Sequence, residues 1–236
     1  MDHDLGKLRH RGLFSSKNNL IIVKYPAPLY NYKKKELGEK MNKNEFTNKY
    51  WSYYLLLESD FMKTNRYMQI SDKNYNAFSI EYAKQIQSVC GELDTVFKLA
   101  SMIDFNTNGS IKKYKPAILE RYNEITSNEV IVPAYELSIK PFDDWNNSNI
   151  NSPQWWKDYN KIKHQRSNSL EAANLKNMIS SLAGLFLLEM YILVEICKKE
   201  YEGTMSSFTF YGPRFPSKLF IIKDWEFTQL LGDPIF

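Results

Sequence analysis

Two long segments of the chain repeat apolar residues every three or four positions, which is the period of an amphipathic helix. In the first segment, Asn44 stands where a helix N-cap is expected. The residues that share one face of this helix are Phe46, Tyr50, Tyr54, Leu57 and Phe61. The pattern predicts a helix from residue 44 to about residue 68.

The second segment repeats the pattern more regularly, up to Ile103. Its apolar face is formed by Tyr82, Ile86, Val89, Leu93, Val96, Ala100 and Ile103. A short polar stretch at residues 71–74 separates it from the first segment. We therefore expect two long helices that pack as an antiparallel pair.

Two further helices are predicted after residue 151. Ser152 and Pro153 form a cap and a first-turn proline, and the helical pattern then continues to about Arg166. Asn168 and Glu171 resemble a capping box that opens an apolar helix over residues 170–199. The apolar run within this helix, residues 182–194, is shorter than the roughly 20 residues that span a bilayer. We expect this helix to be buried on most sides.

Strand patterns flank and interrupt the helical region. Helical periodicity is lost over residues 106–151, which we interpret as an irregular insert with some strand, including "EVIVPAYEL" with Pro133 at an edge or bulge. An N-terminal arm, residues 1–43, contains one strand, "LIIVKY", and residues 201–236 form a hairpin and tail that pairs with one of these strands. The predicted fold is mainly α: a bundle of four to five helices over residues 44–200, with a small β appendage.

Composition narrows the class of protein. The 236 residues, 43% of them hydrophobic, are enough for one sizeable core, and 31 basic against 27 acidic side chains leave a charge of +4. This mild excess permits a polyanionic partner without demanding one. Cys90 and Cys197 lie in apolar helical patterns, which is typical of reduced core thiols. With no apolar export signal near the start, we expect a cytoplasmic protein without a membrane partner.

The segment "SPQWWKDYNKIKHQR" holds His164, the only histidine beyond the first ten residues. On a helix, Asn160 and His164 share one face. The cations around them are Lys157, Lys161, Lys163 and Arg166. A proton-transferring histidine beside cations and an amide is suited to metal-free cleavage of a phosphodiester by a 2′-hydroxyl, and RNA is the polyanion that carries this nucleophile. In this hypothesis His164 is the general acid or base, Asn160 positions the phosphate, and Arg166 and Lys163 offset its charge.

A structural role for the same residues has to be weighed against this. A histidine near a helix end often caps carbonyls or completes a polar network, and Trp155 and Trp156 fit core anchors better than base-stacking platforms. Glu92 on the second helix is the acid we expect to face His164 and to orient its imidazole. One available histidine and two apolar cysteines cannot supply a zinc site, so neither a metal nor another cofactor is expected.

The order of two long helices, an insert, and "YNKIKHQR" running into an apolar helix resembles the HEPN superfamily of helical proteins over residues 44–200. Asn160 and His164 match the asparagine and histidine of the family signature. The resemblance implies a metal-independent endoribonuclease that acts as a homodimer, often in phage defence or toxin–antitoxin systems. The family arginine is replaced by Tyr159, and Arg166 or Arg66 are the candidates to supply the missing charge.

Two functional hypotheses follow. The first is an RNA-binding protein with metal-independent endoribonuclease activity. The alternative is a noncatalytic dimerisation or protein-interaction module, in which a network of Trp155, Asn160 and His164 only holds helix ends together. The arrangement of the cations distinguishes the two hypotheses. The first is favoured if the cations near His164 converge with Arg214 and Lys218 on one cleft around it; these cations are Lys157, Lys161, Lys163 and Arg166. A buried, hydrogen-bonded His164 would favour the second.

Overall fold

The computed structural model describes residues 41–104, 106, 108–201 and 210–225. The predicted strand "LIIVKY" lies outside these residues. The helices are α1 (Lys43–Phe46), α2 (Ser52–Thr64), α3 (Ile80–Ser101), α4 (Ile111–Arg121), α5 (Gln154–Gln165) and α6 (Leu175–Tyr201). The strands are β1 (Val130–Val132), β2 (Leu137–Ile139) and β3 (Ile221–Ile222).

The first predicted helix exists, but its start and end differ from the prediction. Asn42, not Asn44, is the N-cap: its side chain accepts a hydrogen bond from the Glu45 amide, and the Glu45 carboxylate accepts one from the Asn42 amide. A π-helical turn, Thr47–Trp51, joins α1 to α2, which ends at Thr64 rather than near residue 68. The π turn carries a fully buried Trp51 into the core.

Helix α3 matches its prediction closely and forms the centre of the bundle with α6. Ser79 caps its start by accepting a hydrogen bond from the Tyr82 amide. Six of the seven residues predicted for its apolar face are buried, and Ile103 lies just beyond the helix end. Phe61, near the end of α2, packs against Tyr82, near the start of α3. This arrangement agrees with the predicted antiparallel pair.

Helix α6 is the longest helix in the described part of the chain, and 19 of its 27 residues are buried. Its cap is Asn174, whose side chain accepts a hydrogen bond from the Asn177 amide, so the predicted cap at Asn168 is wrong. By length and composition α6 could cross a membrane, contrary to the estimate from residues 182–194 alone. However, 83% of its most apolar window is buried inside the protein, which is typical of a core helix.

The insert contains a helix that periodicity did not reveal. Helix α4 has Pro116 in its interior and buries Ile111, Tyr114 and Ile118 on one side. The description of residues 106–151 as irregular is therefore wrong for this part. The reason is physical. Pro116 interrupts the helical pattern, but it is only the sixth residue of the helix, so one hydrogen bond is lost and the apolar side still packs on α3.

The small sheet is antiparallel, with strand order β2-β1-β3. The segment predicted as one strand is two, because Pro133 starts a 3₁₀ turn, Pro133–Tyr135, that separates β1 from β2. Since β1 is the middle strand, the expected edge position is wrong for it. Val130 in β1 lies opposite Ile222 in β3, which confirms pairing of the C-terminal segment with "EVIVPAYEL". The described residues before β3, from Phe210, are not strand.

Together these elements confirm a mainly α fold with a small antiparallel sheet. One cluster of buried apolar residues connects the helices to the sheet. Cys90 and Cys197 are both buried free thiols. Burial raises the pKa of each thiol above its ordinary value.

Candidate nucleic-acid interface

The inner side of α5 fixes this helix against the core through aromatic residues. Trp155 donates a hydrogen bond from Nε1 to the Pro141 carbonyl at 2.7 Å. The ring of Trp156 packs edge-on against Phe97 of α3, with centroids 5.4 Å apart. Both tryptophans are buried, so they are core anchors. The first amide of the helix, at Gln154, donates to the Asp144 carboxylate rather than to the predicted Ser152 cap.

Asp158 ties α5 to the start of α6. Its carboxylate accepts hydrogen bonds from Asn177 Nδ2 at 3.0 Å, from Gln154 Nε2 at 3.0 Å and from Lys161 Nζ at 2.7 Å. Burial alone would raise the pKa of Asp158, but these three donors outweigh it and lower that pKa. The charge of Lys161 is therefore balanced by an ion pair with Asp158, and it contributes to the attachment of α5 to α6.

The outer side of α5 is a solvent-exposed, basic surface. His164 is exposed in the last helical turn and makes no hydrogen bond or ion pair with any residue that the structure describes. Lys157, Asn160 and Lys163 are exposed on the same helix, and Arg166 is exposed in the following 3₁₀ turn. We refer to these residues (Lys157, Asn160, Lys163, His164 and Arg166) as the α5 face.

Helical geometry explains why Trp156 is buried while Asn160 and His164 are exposed. Four residues of an α-helix cover about 40° more than a full turn. Asn160 is therefore rotated by about 40° from Trp156, and His164 by about 80°, which moves their side chains from the core side toward solvent. The Asn160 side chain donates to the Trp156 carbonyl at 3.1 Å, which leaves its oxygen and one N–H available. The network of Trp155, Asn160 and His164 proposed for the structural alternative is not formed.

Tyr159, at the position of the family arginine, is buried against Trp156 with ring centroids 5.2 Å apart. Burial raises its pKa, assisted by the nearby Cys90 and Asp94. Lys163 Nζ lies 5.8 Å from the centroid of the Tyr159 ring. A cation therefore sits over the residue that replaces the arginine, although it comes from the next helical turn.

Glu92 lies near α6 and the π turn rather than near His164 on α5. Burial raises its pKa, and it lies close enough to Glu189 of α6 and Tyr50 of the π turn to raise theirs. The structure shows no interaction between Glu92 and His164 among the described residues. The acid of α3 that lies near α5 is Asp94. Its carboxylate accepts a hydrogen bond from the Tyr114 hydroxyl and forms an ion pair with Lys98, and no interaction with His164 is seen among the described residues.

The remaining cations considered from the sequence lie elsewhere. Arg66 and Lys218 line a groove of about 570 Å³ between α2 and the C-terminal segment. Arg214 lies on that segment, with its guanidinium 5.3 Å from the Phe215 ring centroid. The basic residues therefore divide between two surfaces, the α5 face and this groove, rather than converging on one cleft around His164.

Glu58, beside this groove, is a residue that the sequence reading missed. It is 2% exposed and accepts hydrogen bonds from Tyr54 Oη at 2.7 Å, from the Lys218 and Leu219 amides at 3.0 and 3.2 Å, and from the Ser217 hydroxyl. The only signal in the sequence was an acidic residue next to Leu57 on an apolar helix side. Its role is structural, since it joins the C-terminal segment to α2.

Comparisons with protein-family models, with curated proteins and with solved structures found no match to this chain. Among the described residues, no group of three or more histidine, cysteine, aspartate or glutamate side chains is placed to hold a metal ion. The HEPN resemblance thus rests on Asn160, His164 and the order of the helices, and it stays a prediction.

Proposed function

We propose that this protein binds RNA through the α5 face and cleaves it without a metal, with His164 as the proton-transferring group. The observation that carries the proposal is that His164 is exposed, has no partner among the described residues, and lies among Lys157, Lys163 and Arg166. A histidine that holds a fold together is normally hydrogen-bonded. This one leaves both ring nitrogens available to a ligand.

The proposed reaction uses the 2′-hydroxyl of the substrate. His164 removes the proton from this hydroxyl, the 2′-oxygen bonds to phosphorus, and the bond from phosphorus to the 5′-oxygen breaks. The products are a 2′,3′-cyclic phosphate and a 5′-hydroxyl, whose proton comes from an acid in the site. Lys163 and Arg166 offset the charge on the phosphate, and the available N–H of Asn160 donates to a phosphate oxygen. In the homodimer that the resemblance implies, His164 of the second copy supplies the acid.

A protein-interaction role is the second candidate, and a different observation favours it. Several large apolar residues on α2 and at the start of α3 are exposed: Tyr53, Leu56, Phe78 and Ile80. Leu56 is 56% exposed, and it adds to a group of exposed apolar residues of the kind that marks interaction sites. These residues are suited to a protein partner, and such a partner is compatible with RNA binding at the α5 face.

Charge reversal on the α5 face tests the RNA proposal. We expect Lys157→Glu combined with Lys163→Glu to weaken binding of a fluorescein-labelled RNA by at least ten-fold and to reduce the dependence of affinity on salt. The matched control is Lys112→Glu with Lys113→Glu, which changes two exposed lysines of α4 and the net charge equally. Fluorescence anisotropy titrations at several salt concentrations measure both effects. Equal losses for the two pairs would contradict a site on α5.

Catalysis is tested separately from binding. In EDTA, the wild type should cleave a mixed pool of single-stranded and structured RNA, and His164→Ala should lower the rate by about 100-fold or more. Circular dichroism checks that the variant folds. Because the His164 side chain makes no hydrogen bond or ion pair with the described residues, loss of cleavage in a folded variant points to the missing imidazole rather than to lost structure.

A further inference from the structure

The groove between α2 and the C-terminal segment has rigid walls. Trp51 donates a hydrogen bond from Nε1 to the Phe215 carbonyl at 2.7 Å. Glu58 accepts from the backbone amides of Lys218 and Leu219. Residues 215–218 are therefore fixed at one end to the π turn, through Trp51, and at the other end to α2, through Glu58. The groove is already formed before any ligand arrives, which lowers the cost of binding.

Its lining combines an apolar floor with cations on both walls. The apolar residues are Leu55, Met62, Phe215 and Pro216. Lys63 and Arg66 stand on the α2 wall, and Lys218 stands on the opposite wall. Lys63 is paired with Asp60 at 2.7 Å, whereas Arg66 and Lys218 have no side-chain partner in the described part of the chain. Glu58 is the one acid among the described lining residues, and its carboxylate is occupied by internal donors.

The C-terminal wall also presents an aromatic ring to solvent. Phe215 is 44% exposed, and the Arg214 guanidinium lies near its ring. Tyr211, 40% exposed, lies four residues before it. Exposed aromatic rings beside cations are the side chains on which unpaired bases stack, and this stacking tolerates any base.

We propose that this groove binds single-stranded RNA, with a base packed on Phe215 and the apolar floor and with backbone phosphates held by Arg66 and Lys218. An acidic peptide is a weaker fit, because unpartnered cations on opposite walls flanking an aromatic surface suit a chain that alternates flat bases with phosphates. The inference rests on the proposed RNA function and adds to it a second contact surface and a preference for unpaired strands.

Binding of a labelled 12-nucleotide oligouridylate and of an RNA hairpin tests the inference. We expect Arg66→Glu with Lys218→Glu to weaken oligouridylate binding at least ten-fold, well beyond the Lys112→Glu, Lys113→Glu control, and to affect the hairpin less. Phe215→Ala should weaken oligouridylate binding about ten-fold. It keeps the Phe215 carbonyl that Trp51 binds, so the segment stays anchored.

The outcomes separate the two proposals. If the α5 pair weakens binding while the groove variants match the control, the groove inference is overturned and the α5 proposal stands. If only the groove variants weaken binding, RNA binding belongs to the groove and the α5 face loses its role. A groove that binds a labelled poly-glutamate–leucine peptide through Arg66 and Lys218, but not oligouridylate, belongs to a protein partner and overturns the inference. Failure of the wild type to bind oligouridylate also overturns it.

Discussion

Glu58 and Glu189 are equally buried in the same bundle, yet their surroundings are opposite. Glu58 is 2% exposed and accepts hydrogen bonds from two side-chain hydroxyls and two backbone amides. Glu189, in the middle of α6, is 0% exposed, and neither of its oxygens has a hydrogen-bond partner among the residues that the structure describes. Burial, reinforced by the nearby Glu92, raises the pKa of Glu189 well above its ordinary value. The degree of burial therefore does not tell whether a carboxyl group stabilises the fold. The hydrogen-bond donors around the carboxyl group do.

The same criterion applies at the surface. Asp158 on the inner part of α5 has three donors, whereas His164 on the outer part of the same helix has none among the described residues. Polar groups that use their hydrogen bonds inside the protein stabilise the fold. An exposed group without such bonds is available to a ligand. The four predictions below test this contrast on individual residues.

The largest change in stability is expected at Glu58. Glu58→Ala leaves the Lys218 amide without its acceptor, and it leaves the Leu219 amide and the Tyr54 hydroxyl with only the Ser217 hydroxyl, at 3.3 and 3.1 Å. The free energy of unfolding should therefore fall by about 3 kcal/mol. Urea denaturation followed by circular dichroism measures the loss. Glu120→Gln, at an exposed acid of α4 that has no side-chain partner among the described residues, is the control and should change stability by less than about 0.5 kcal/mol. A Glu58→Ala variant as stable as this control would refute the structural role.

A smaller loss is expected at Asp158. Asp158→Asn removes the charge that Lys161 pairs with and one acceptor oxygen, which should cost about 1–2 kcal/mol at pH 7. Because the folded-state pKa is lowered, the carboxylate stabilises the protein above its unfolded pKa of about 3.9, and this stability is lost as pH falls through the folded value. The difference between wild type and variant should therefore shrink below about pH 4. A constant difference from pH 3 to pH 7 would contradict this.

Replacing Glu189 should have the opposite sign. Among the described residues, the titratable groups that interact with it are Glu92 from α3, Tyr50 from the π turn and Tyr54 from α2, and none of these is a cation. Since its folded pKa is raised, Glu189 costs stability progressively as pH rises above its unfolded value of about 4.3. Glu189→Met should raise the free energy of unfolding by about 1 kcal/mol at pH 7 and by less at pH 4. Destabilisation at both pH values would show that an internal partner holds the carboxyl.

The smallest effect on stability is expected at His164. His164 is exposed, and His164→Ala removes no hydrogen bond or ion pair to a described residue, so the free energy of unfolding should change by less than about 0.5 kcal/mol. Thermal and urea unfolding of the two proteins give the comparison. A loss of 2 kcal/mol would instead place His164 in the fold and favour the protein-interaction alternative.

The fold class and the α3 helix could be predicted because long amphipathic patterns report burial directly. The caps were misassigned because two asparagines lie near each helix start, and only backbone geometry distinguishes Asn42 from Asn44 or Asn174 from Asn168. Helix α4 was missed because Pro116 masked a short apolar pattern.

The geometry of the candidate site could be predicted only in part from the sequence. Spacing along one helix correctly placed Asn160 and His164 near each other on α5. This spacing could not give the orientation of α3 relative to α5. In the structure that orientation places Glu92 near Glu189, whereas the sequence analysis expected it to face His164. Nor could it reveal the joint between Glu58 and Lys218, because residues 160 positions apart meet only after the chain has folded.

The most direct test of the central claim is the chemistry of the RNA ends produced by the purified protein in EDTA. The account predicts 2′,3′-cyclic phosphate and 5′-hydroxyl ends, formed by the wild type and not by folded His164→Ala, and no cleavage of the same oligonucleotide made with 2′-deoxyribose. Absence of cleavage, cleavage of the deoxy substrate, or equal cleavage by His164→Ala would contradict it.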